Sequence, residues 1–147
     1  LDISLSSFSE YLEVNLTSLF SVCREFIRNN NEGIIINFGS LYSLVSPNKK
    51  LYNDDEKHIG YSVSKAGVVM LTKHLSTHFA PNFRCNTIIL GGIENNQSED
   101  FKKKYSENTS LKRMMKVGEV NSVIDFMINN TYINGVEIVV DGGWTSY

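Results

Sequence analysis

Residues 34–40 have the sequence Ile-Ile-Ile-Asn-Phe-Gly-Ser, an apolar run that follows an Asn-rich turn. A short run of β-branched residues after a turn is typical of a strand buried on both faces of a parallel sheet. Segments 84–90 and 136–140 are two further predicted strands, and glycine pairs follow both. The sequence therefore predicts three strands, the first over residues 34–38.

Helical periodicity fills the segments between these strands. Apolar residues recur at helical spacing over residues 8–30, 62–79 and 118–128, and residues 98–105 form a shorter candidate helix. Ser7 or Ser9 is a suitable cap for the first helix. Strands that alternate with helices indicate right-handed crossovers with helices on both faces. We therefore predict an α/β fold with a doubly wound parallel sheet.

The composition is that of a folded protein and excludes several functions. Hydrophobic residues make up 41% and charged residues 20% of the chain, which argues against disorder. A net charge of −2 argues against a nucleic-acid partner, and the basic run 102–104 has acidic neighbours that indicate a solvated helical face. No apolar stretch approaches the ~20 residues of a membrane helix. We expect no membrane partner and a cytoplasmic location.

The two cysteines, Cys23 and Cys85, have no motif spacing and lie within apolar-periodic segments. Cysteines in such settings are typical of buried free thiols in a reducing compartment. We accordingly predict no disulfide and no metal site.

Tyr61 and Lys65 are four residues apart at the start of the second long helix, so they share a face. A nearby ammonium favours the phenolate form of a tyrosine, which makes the pair a candidate acid/base unit for a carbonyl or an alcohol. The structural alternative is a ring packed on the aliphatic stem of the lysine.

Further polar or small residues stand near the predicted strand ends, where ligands bind in such sheets. Ser40 can donate to a substrate oxygen, or it can cap a turn. Asn15 is a poor residue for a helix interior, and it is either an exposed position or a buried amide that bends the helix and organises a water or the lysine. Gly91 and Gly92 allow close approach to a ligand or a left-handed turn, or they belong to an ordinary connection.

The order of these features resembles the short-chain dehydrogenase/reductase family, from Asn15 to the Asp-Gly-Gly of residues 141–143. The resemblance implies a catalytic tetrad of Asn15, Ser40, Tyr61 and Lys65. Tyr61 would be the general acid/base, Lys65 would bind the nicotinamide ribose, Ser40 would polarise the carbonyl, and Asn15 would hold a relay water.

The same resemblance implies NAD or NADP as cofactor, bound by Tyr61, Lys65, Gly91, Gly92 and Ile93. The family has Pro-Gly after this strand, whereas this chain has a Leu-Gly-Gly-Ile sequence at residues 90–93. Complete members are expected to form homodimers or homotetramers.

A narrower resemblance links the chain to bacterial proteins of flagellin modification and surface-polysaccharide synthesis. It implies a sugar-type substrate that contacts Ser40, Tyr42 and Gly92. Ser40 and Tyr61 are 21 residues apart, which is longer than in most of the family, and loops as long as 43–60 are often functional. We expect this loop to lie over the substrate.

The chain has no glycine-rich pyrophosphate turn of the kind that opens such domains. Because it also begins with Leu1, we expect residues 1–147 to be the C-terminal half of a Rossmann-like domain, with an open first strand and no activity alone. Two alternatives remain: a non-catalytic remnant, oligomerisation module or partner half of a split enzyme, and a sugar epimerase that retains NAD.

Overall fold

In the computed structural model, which describes residues 2–52 and 57–146, three parallel strands form one sheet. Strand β1 spans Gly33–Ser40, β2 spans Phe83–Leu90 and β3 spans Glu137–Val140. The strand order is β1-β2-β3, with parallel pairing throughout. The predicted fold class is confirmed, and the carboxyl ends of all three strands meet at one edge of the sheet.

Five α-helices flank this sheet in the described ranges. They are α1 Leu5–Leu12, α2 Ser18–Asn29, α3 Ile59–His78, α4 Glu99–Glu107 and α5 Asn121–Asn129. A π-helical turn, Glu13–Thr17, joins α1 to α2. Short 3₁₀ turns occur at Leu41–Ser43, Lys49–Tyr52, Val117–Val120 and Trp144–Ser146.

The first helix begins earlier than the sequence predicts, and its predicted cap is wrong. Ser4 has extended backbone, and its Oγ accepts a hydrogen bond from the Ser7 N–H at 3.1 Å. The amide of Phe8 bonds to the Ser4 carbonyl. Ser7 therefore lies inside the first turn, where its own N–H needs a cap.

Helices pack on both faces of the sheet. On one face, Cys23 of α2 and Leu75 of α3 pack against Phe83 and Cys85 of β2. On the other face, Met127 of α5 belongs to a core that includes strand residues of β2 and β3. This two-sided cover is the doubly wound arrangement that the alternation of elements predicts.

Both cysteines are buried and free, as predicted. Burial raises the pKa of the Cys23 thiol, and it raises the pKa of Cys85 to about 11. Both side chains are therefore neutral thiols that contribute to packing at neutral pH.

Strand β1 lies at the end of the sheet, as the sequence predicts for an open first strand. Its Phe38 side chain is 44% exposed although the strand is apolar. Within residues 2–52 and 57–146, no helix is long and apolar enough to cross a membrane.

Candidate active site

The first turn of α3 is held by the residue that precedes it. The Nδ1 atom of His58 accepts the Gly60 N–H at 3.0 Å, and the His58 carbonyl accepts the Tyr61 N–H at 3.0 Å. Tyr61 thus lies in the first turn, and Lys65 follows one turn later on the same face. The Lys65 Nζ is 5.9 Å from the centre of the Tyr61 ring, as the spacing predicts.

Lys65 is also tied to the end of β1. Its Nζ donates to the carbonyl of Phe38 at 3.1 Å, and partial burial lowers the pKa of its ammonium below the ordinary value. An ammonium has three N–H donors, so the bond to Phe38 leaves two for other acceptors. The lysine is thereby fixed in direction and still able to bind hydroxyl groups.

Asn15 is partly buried and lies in the π-helical turn, where the regular α-helical hydrogen bonding is interrupted. Its Nδ2 donates to the Ser64 Oγ at 3.2 Å, and that hydroxyl donates to the Tyr61 carbonyl at 2.8 Å. Asn15 is therefore connected to the backbone of Tyr61 through Ser64, a residue that the sequence does not single out. The role of Asn15 in holding a water stays a prediction.

Ser40 is the last residue of β1 and is buried. Its Oγ accepts the Tyr42 N–H at 3.2 Å, so it caps the 3₁₀ turn that follows, as in the structural alternative. This bond uses a lone pair and leaves the hydroxyl proton to donate elsewhere. The turn Leu41–Ser43 packs against α3, which brings the end of β1 beside the helix of Tyr61.

An aromatic ladder, defined here as Tyr42, Tyr52, Phe101, Tyr105 and Trp144, runs across this end of the molecule. Successive ring centres are 6.4, 5.8, 6.2 and 4.6 Å apart. Tyr61 packs against the same core. The loop predicted over 43–60 thus contributes a docked 3₁₀ turn, although its residues 53–56 lie outside the described ranges.

Tyr42, predicted to contact the substrate, is buried, and its hydroxyl bonds to the Tyr52 hydroxyl at 2.8 Å. Burial and this neighbour raise the pKa of the Tyr42 phenol far above its ordinary value. Tyr42 is therefore a neutral, anchored ring, and its contact with substrate stays a prediction.

The Gly91-Gly92 connection is shaped by packing, and of its predicted alternatives the left-handed turn is wrong. Positive φ angles occur at three other glycines of the described chain, not at these two. A Cβ on Gly91 would lie 2.8 Å from the Asp141 Cα, and one on Gly92 would lie 2.6 Å from the Tyr105 ring. The glycines are needed because Asp141 and Tyr105 approach the backbone closely.

Hydrogen bonds fix this connection in place. The hydroxyl of Tyr105 accepts the Gly92 N–H. The Met115 N–H donates to the Gly92 carbonyl at 3.0 Å, and the Met115 carbonyl accepts the Glu94 N–H at 2.8 Å. Ile93 forms a bridge with Met115. The predicted cofactor-binding backbone is therefore held by hydrogen bonds from Tyr105 and Met115.

Comparison with known proteins identifies the family of the chain. A family model described as enoyl-(acyl carrier protein) reductase matches residues 1–145. The chain belongs to the short-chain dehydrogenase/reductase family. It is 29% identical to the post-translational flagellin modification protein A of Campylobacter coli, over 96% of this chain and 58% of that protein. A 3-oxoacyl-[acyl-carrier-protein] reductase of Aquifex aeolicus is 33% identical over 97% of the chain and 58% of its own length.

Among solved structures, a short-chain dehydrogenase of Leptospira borgpetersenii with bound NAD⁺ superposes with a TM-score of 0.88 and 32% identity. The match covers 98% of this chain and 58% of that one. This short-chain dehydrogenase/reductase chain thus spans somewhat more than half the length of the proteins it resembles.

In this short-chain dehydrogenase/reductase chain, the predicted site residues fall into two groups. Asn15, Tyr61 and Lys65 are linked through α3. Gly91, Gly92 and Ile93 form a second group at the end of β2. Ser40 joins the first group through the turn after β1. No cluster of three or more potential metal ligands occurs among the residues that the structure describes.

Proposed function

We propose that this polypeptide is an NAD(P)-dependent oxidoreductase that moves a hydride between a nicotinamide cofactor and a carbonyl or hydroxyl of a sugar-type substrate. The observation that carries the proposal is the placement of Lys65 between the Tyr61 ring and the Phe38 carbonyl. A phenol and a directed ammonium on one helical face form an acid/base unit with a second donor for hydroxyl groups.

The residues present fit a nicotinamide nucleotide. Two N–H donors of Lys65 remain for ribose hydroxyls, and an open groove beside this lysine is lined by Asn15, Phe38 and Lys65. A second opening is lined by Asn15 and Tyr61. The cofactor supplies the hydride chemistry, while the protein supplies orientation and electrostatics.

The roles proposed for the individual residues are those that the family resemblance implies. Tyr61 exchanges a proton with the substrate oxygen at its phenol, and Ser40 donates its free hydroxyl proton to the same oxygen. Lys65 holds the ribose, and Asn15 supports Tyr61 through Ser64 and organises the relay. The hydrogen-bonded backbone of Gly91, Gly92 and Ile93 borders the nicotinamide.

The sugar-type substrate rests on a relative and on one structural feature. The similar Campylobacter coli protein is named for flagellin modification. Tyr52 packs against the same aromatic core as Tyr61, and aromatic rings suit the apolar faces of sugars. We propose a cytoplasmic role in flagellin-glycan or surface-polysaccharide synthesis, by a homodimer or homotetramer. The bound NAD⁺ of the similar Leptospira structure supports a nicotinamide cofactor. The choice between NAD and NADP is determined by the assay described next.

Replacement of Tyr61 tests this function. In the full-length protein, Tyr61→Phe removes the proton-transferring hydroxyl. We therefore expect kcat for sugar-dependent reduction of NAD⁺ or NADP⁺ to fall by about 10²- to 10⁴-fold. Cofactor affinity changes little, because Lys65 is retained. The measurement is nicotinamide absorbance with each cofactor, alongside cofactor binding by calorimetry.

Tyr132→Phe is the matched control, because the Tyr132 side chain is 98% exposed. Near-normal turnover in Tyr61→Phe would refute the assigned role. Conversion of a sugar without net change in nicotinamide absorbance would identify an epimerase instead, and a lack of cofactor binding would support a remnant or partner half.

A further inference from the structure

A small pocket lies between residues 46–52 and the start of α3, and it reaches Lys57, whose side chain contacts the Tyr61 ring. Its volume is about 200 Å³, and Pro47, Tyr52, Lys57, Ile59 and Ser62 line it, together with Lys49 and others. Sites for whole small molecules usually measure ~300–1,000 Å³. The pocket therefore suits one substituent of a substrate whose reacting carbon lies at Tyr61.

Lys57 gives this pocket a positive charge. Its Nζ lies 4.7 Å from the centre of the Tyr61 ring and 5.6 Å from that of Tyr52, so two aromatic rings hold the ammonium. Burial lowers the pKa of Lys57 below its ordinary value. Lys57 forms no salt bridge within residues 2–52 and 57–146.

Ser62 adds a second donor to the same pocket. Its Oγ is shielded from solvent and has no hydrogen-bond partner among the residues that the structure describes. The proton of the Ser62 hydroxyl is therefore not committed to another group of the described residues, and it can be donated to an acceptor in the pocket. A ligand oxygen that accepts the Ser62 proton would satisfy it.

We propose that this pocket binds an anionic substituent, a carboxylate or a phosphate, and that Lys57 makes the enzyme specific for acidic sugars. The inference rests on the proposed function, since it places the reacting carbon at Tyr61. The Lys57 ammonium and the Ser62 hydroxyl both donate to anionic oxygens. The pocket also adjoins the N-terminus of the 20-residue helix α3, where negative charge is favoured.

Three sugars that share the glucose skeleton and differ in charge test the pocket in the full-length protein. D-glucose, D-glucuronate and D-glucose 6-phosphate are each titrated by calorimetry, and each is assayed with NAD⁺ and NADP⁺. We expect at least one acidic sugar to bind about ten-fold more tightly than glucose, as for one hydrogen bond to a charged group. The two acidic sugars distinguish a carboxylate from a phosphate preference.

Variants assign the effect to Lys57. Lys57→Met should remove the preference for the acidic sugar and leave glucose binding unchanged, whereas Lys57→Arg should retain it. Lys50→Met is the matched control, because it removes a positive charge from the 3₁₀ turn that borders the pocket, although Lys50 itself does not line it. Circular dichroism verifies that each variant is folded.

The outcomes separate the two proposals. Equal or absent binding of all three sugars, or a preference that survives in Lys57→Met, overturns the anionic pocket. If Lys57→Met abolishes acidic-sugar binding but no sugar changes the nicotinamide absorbance, the pocket stands and the oxidoreductase proposal falls.

Discussion

His58 joins α1 to α3, the helix that carries Tyr61 and Lys65. Its Nδ1 accepts the Gly60 N–H, its Nε2 lies 3.1 Å from the Ser7 Oγ, and its ring stacks on Tyr11 at 4.2 Å. Because Nδ1 is an acceptor, the proton of the neutral imidazole belongs on Nε2, which donates to Ser7. The position of Tyr61 therefore depends on a histidine outside the tetrad.

Loss of this cap should weaken the start of α3. We expect His58→Leu to lower the free energy of unfolding by about 1–2 kcal/mol relative to His58→Asn, because asparagine can still accept the Gly60 N–H. Urea unfolding of the native polypeptide measures the difference. His74→Leu, at an exposed position on the same helix, is the control. Equal stability of the His58→Leu and His58→Asn variants would contradict the capping role.

The pairing of Tyr61 with Lys65 was predictable, since residues four apart on a helix are neighbours whatever the rest of the fold does. The contacts of Ser64 with Asn15 and of His58 with Ser7 span 49 and 51 residues. Contacts at such separations depend on how helices pack, which local spacing does not encode. The tetrad roles themselves stay predictions.

Arg84 of β2 binds the C-terminal end of α5. Its guanidinium donates to the carbonyls of Met127, Ile128, Asn130 and Ile133 at 3.0–3.1 Å. The last carbonyls of a helix lack internal partners, and a cation there also complements the helix dipole. The α5 sequence has no basic residue in its last turn, so a strand supplies it.

Removal of this guanidinium should cost more than removal of a surface charge. We expect Arg84→Met to lower the free energy of unfolding by about 2–4 kcal/mol, because several carbonyls lose their donor, and Arg84→Lys to recover part of it. Arg24→Met, which breaks an exposed pair with Glu25, should cost about 0–1 kcal/mol. The free energies of unfolding of the three variants are compared by chemical denaturation. Similar losses for Arg84→Met and Arg24→Met would contradict the stabilising role of Arg84 at the end of α5.

The types of the long elements were predictable from periodicity, but their ends were less so. The sequence places the start of α3 near Ser62, whereas the helix begins at Ile59. Gly60 is a weak helix former and His58 is an uncommon cap, so neither marks a helix start. The turn Lys49–Tyr52 was unpredictable for a similar reason, because buried Leu51 is held by tertiary packing.

For the whole molecule, the consequential feature is the open side of β1. This strand lies at the end of the sheet, and Phe38 is 44% exposed. Unpaired strand edges with apolar side chains favour association with other chains. The sequence predicts this edge, because its first strand has no preceding strand within residues 1–147. The interpretation of these residues as the C-terminal half of a larger domain stays a prediction.

Residues 1–147 expressed alone should associate as their concentration rises. Phe38→Lys places a charge on the open side, so we expect a larger monomer fraction in sedimentation velocity. Tyr132→Lys, which changes an exposed aromatic elsewhere, should have little effect. Monomers at every concentration, or equal effects of the two variants, would show that this side of the sheet does not drive association.

The aromatic ladder has an optical consequence. Trp144 is the single tryptophan of the chain, and it stacks on Tyr105, whose hydroxyl holds the Gly92 amide. The indole is thus a native fluorophore one side chain away from the turn after β2. The emission of Trp144 can be followed without a label. The neighbouring tyrosines can transfer excitation energy to it. A ligand or variant that displaces Tyr105 should therefore change the emission of Trp144 in the unmodified protein.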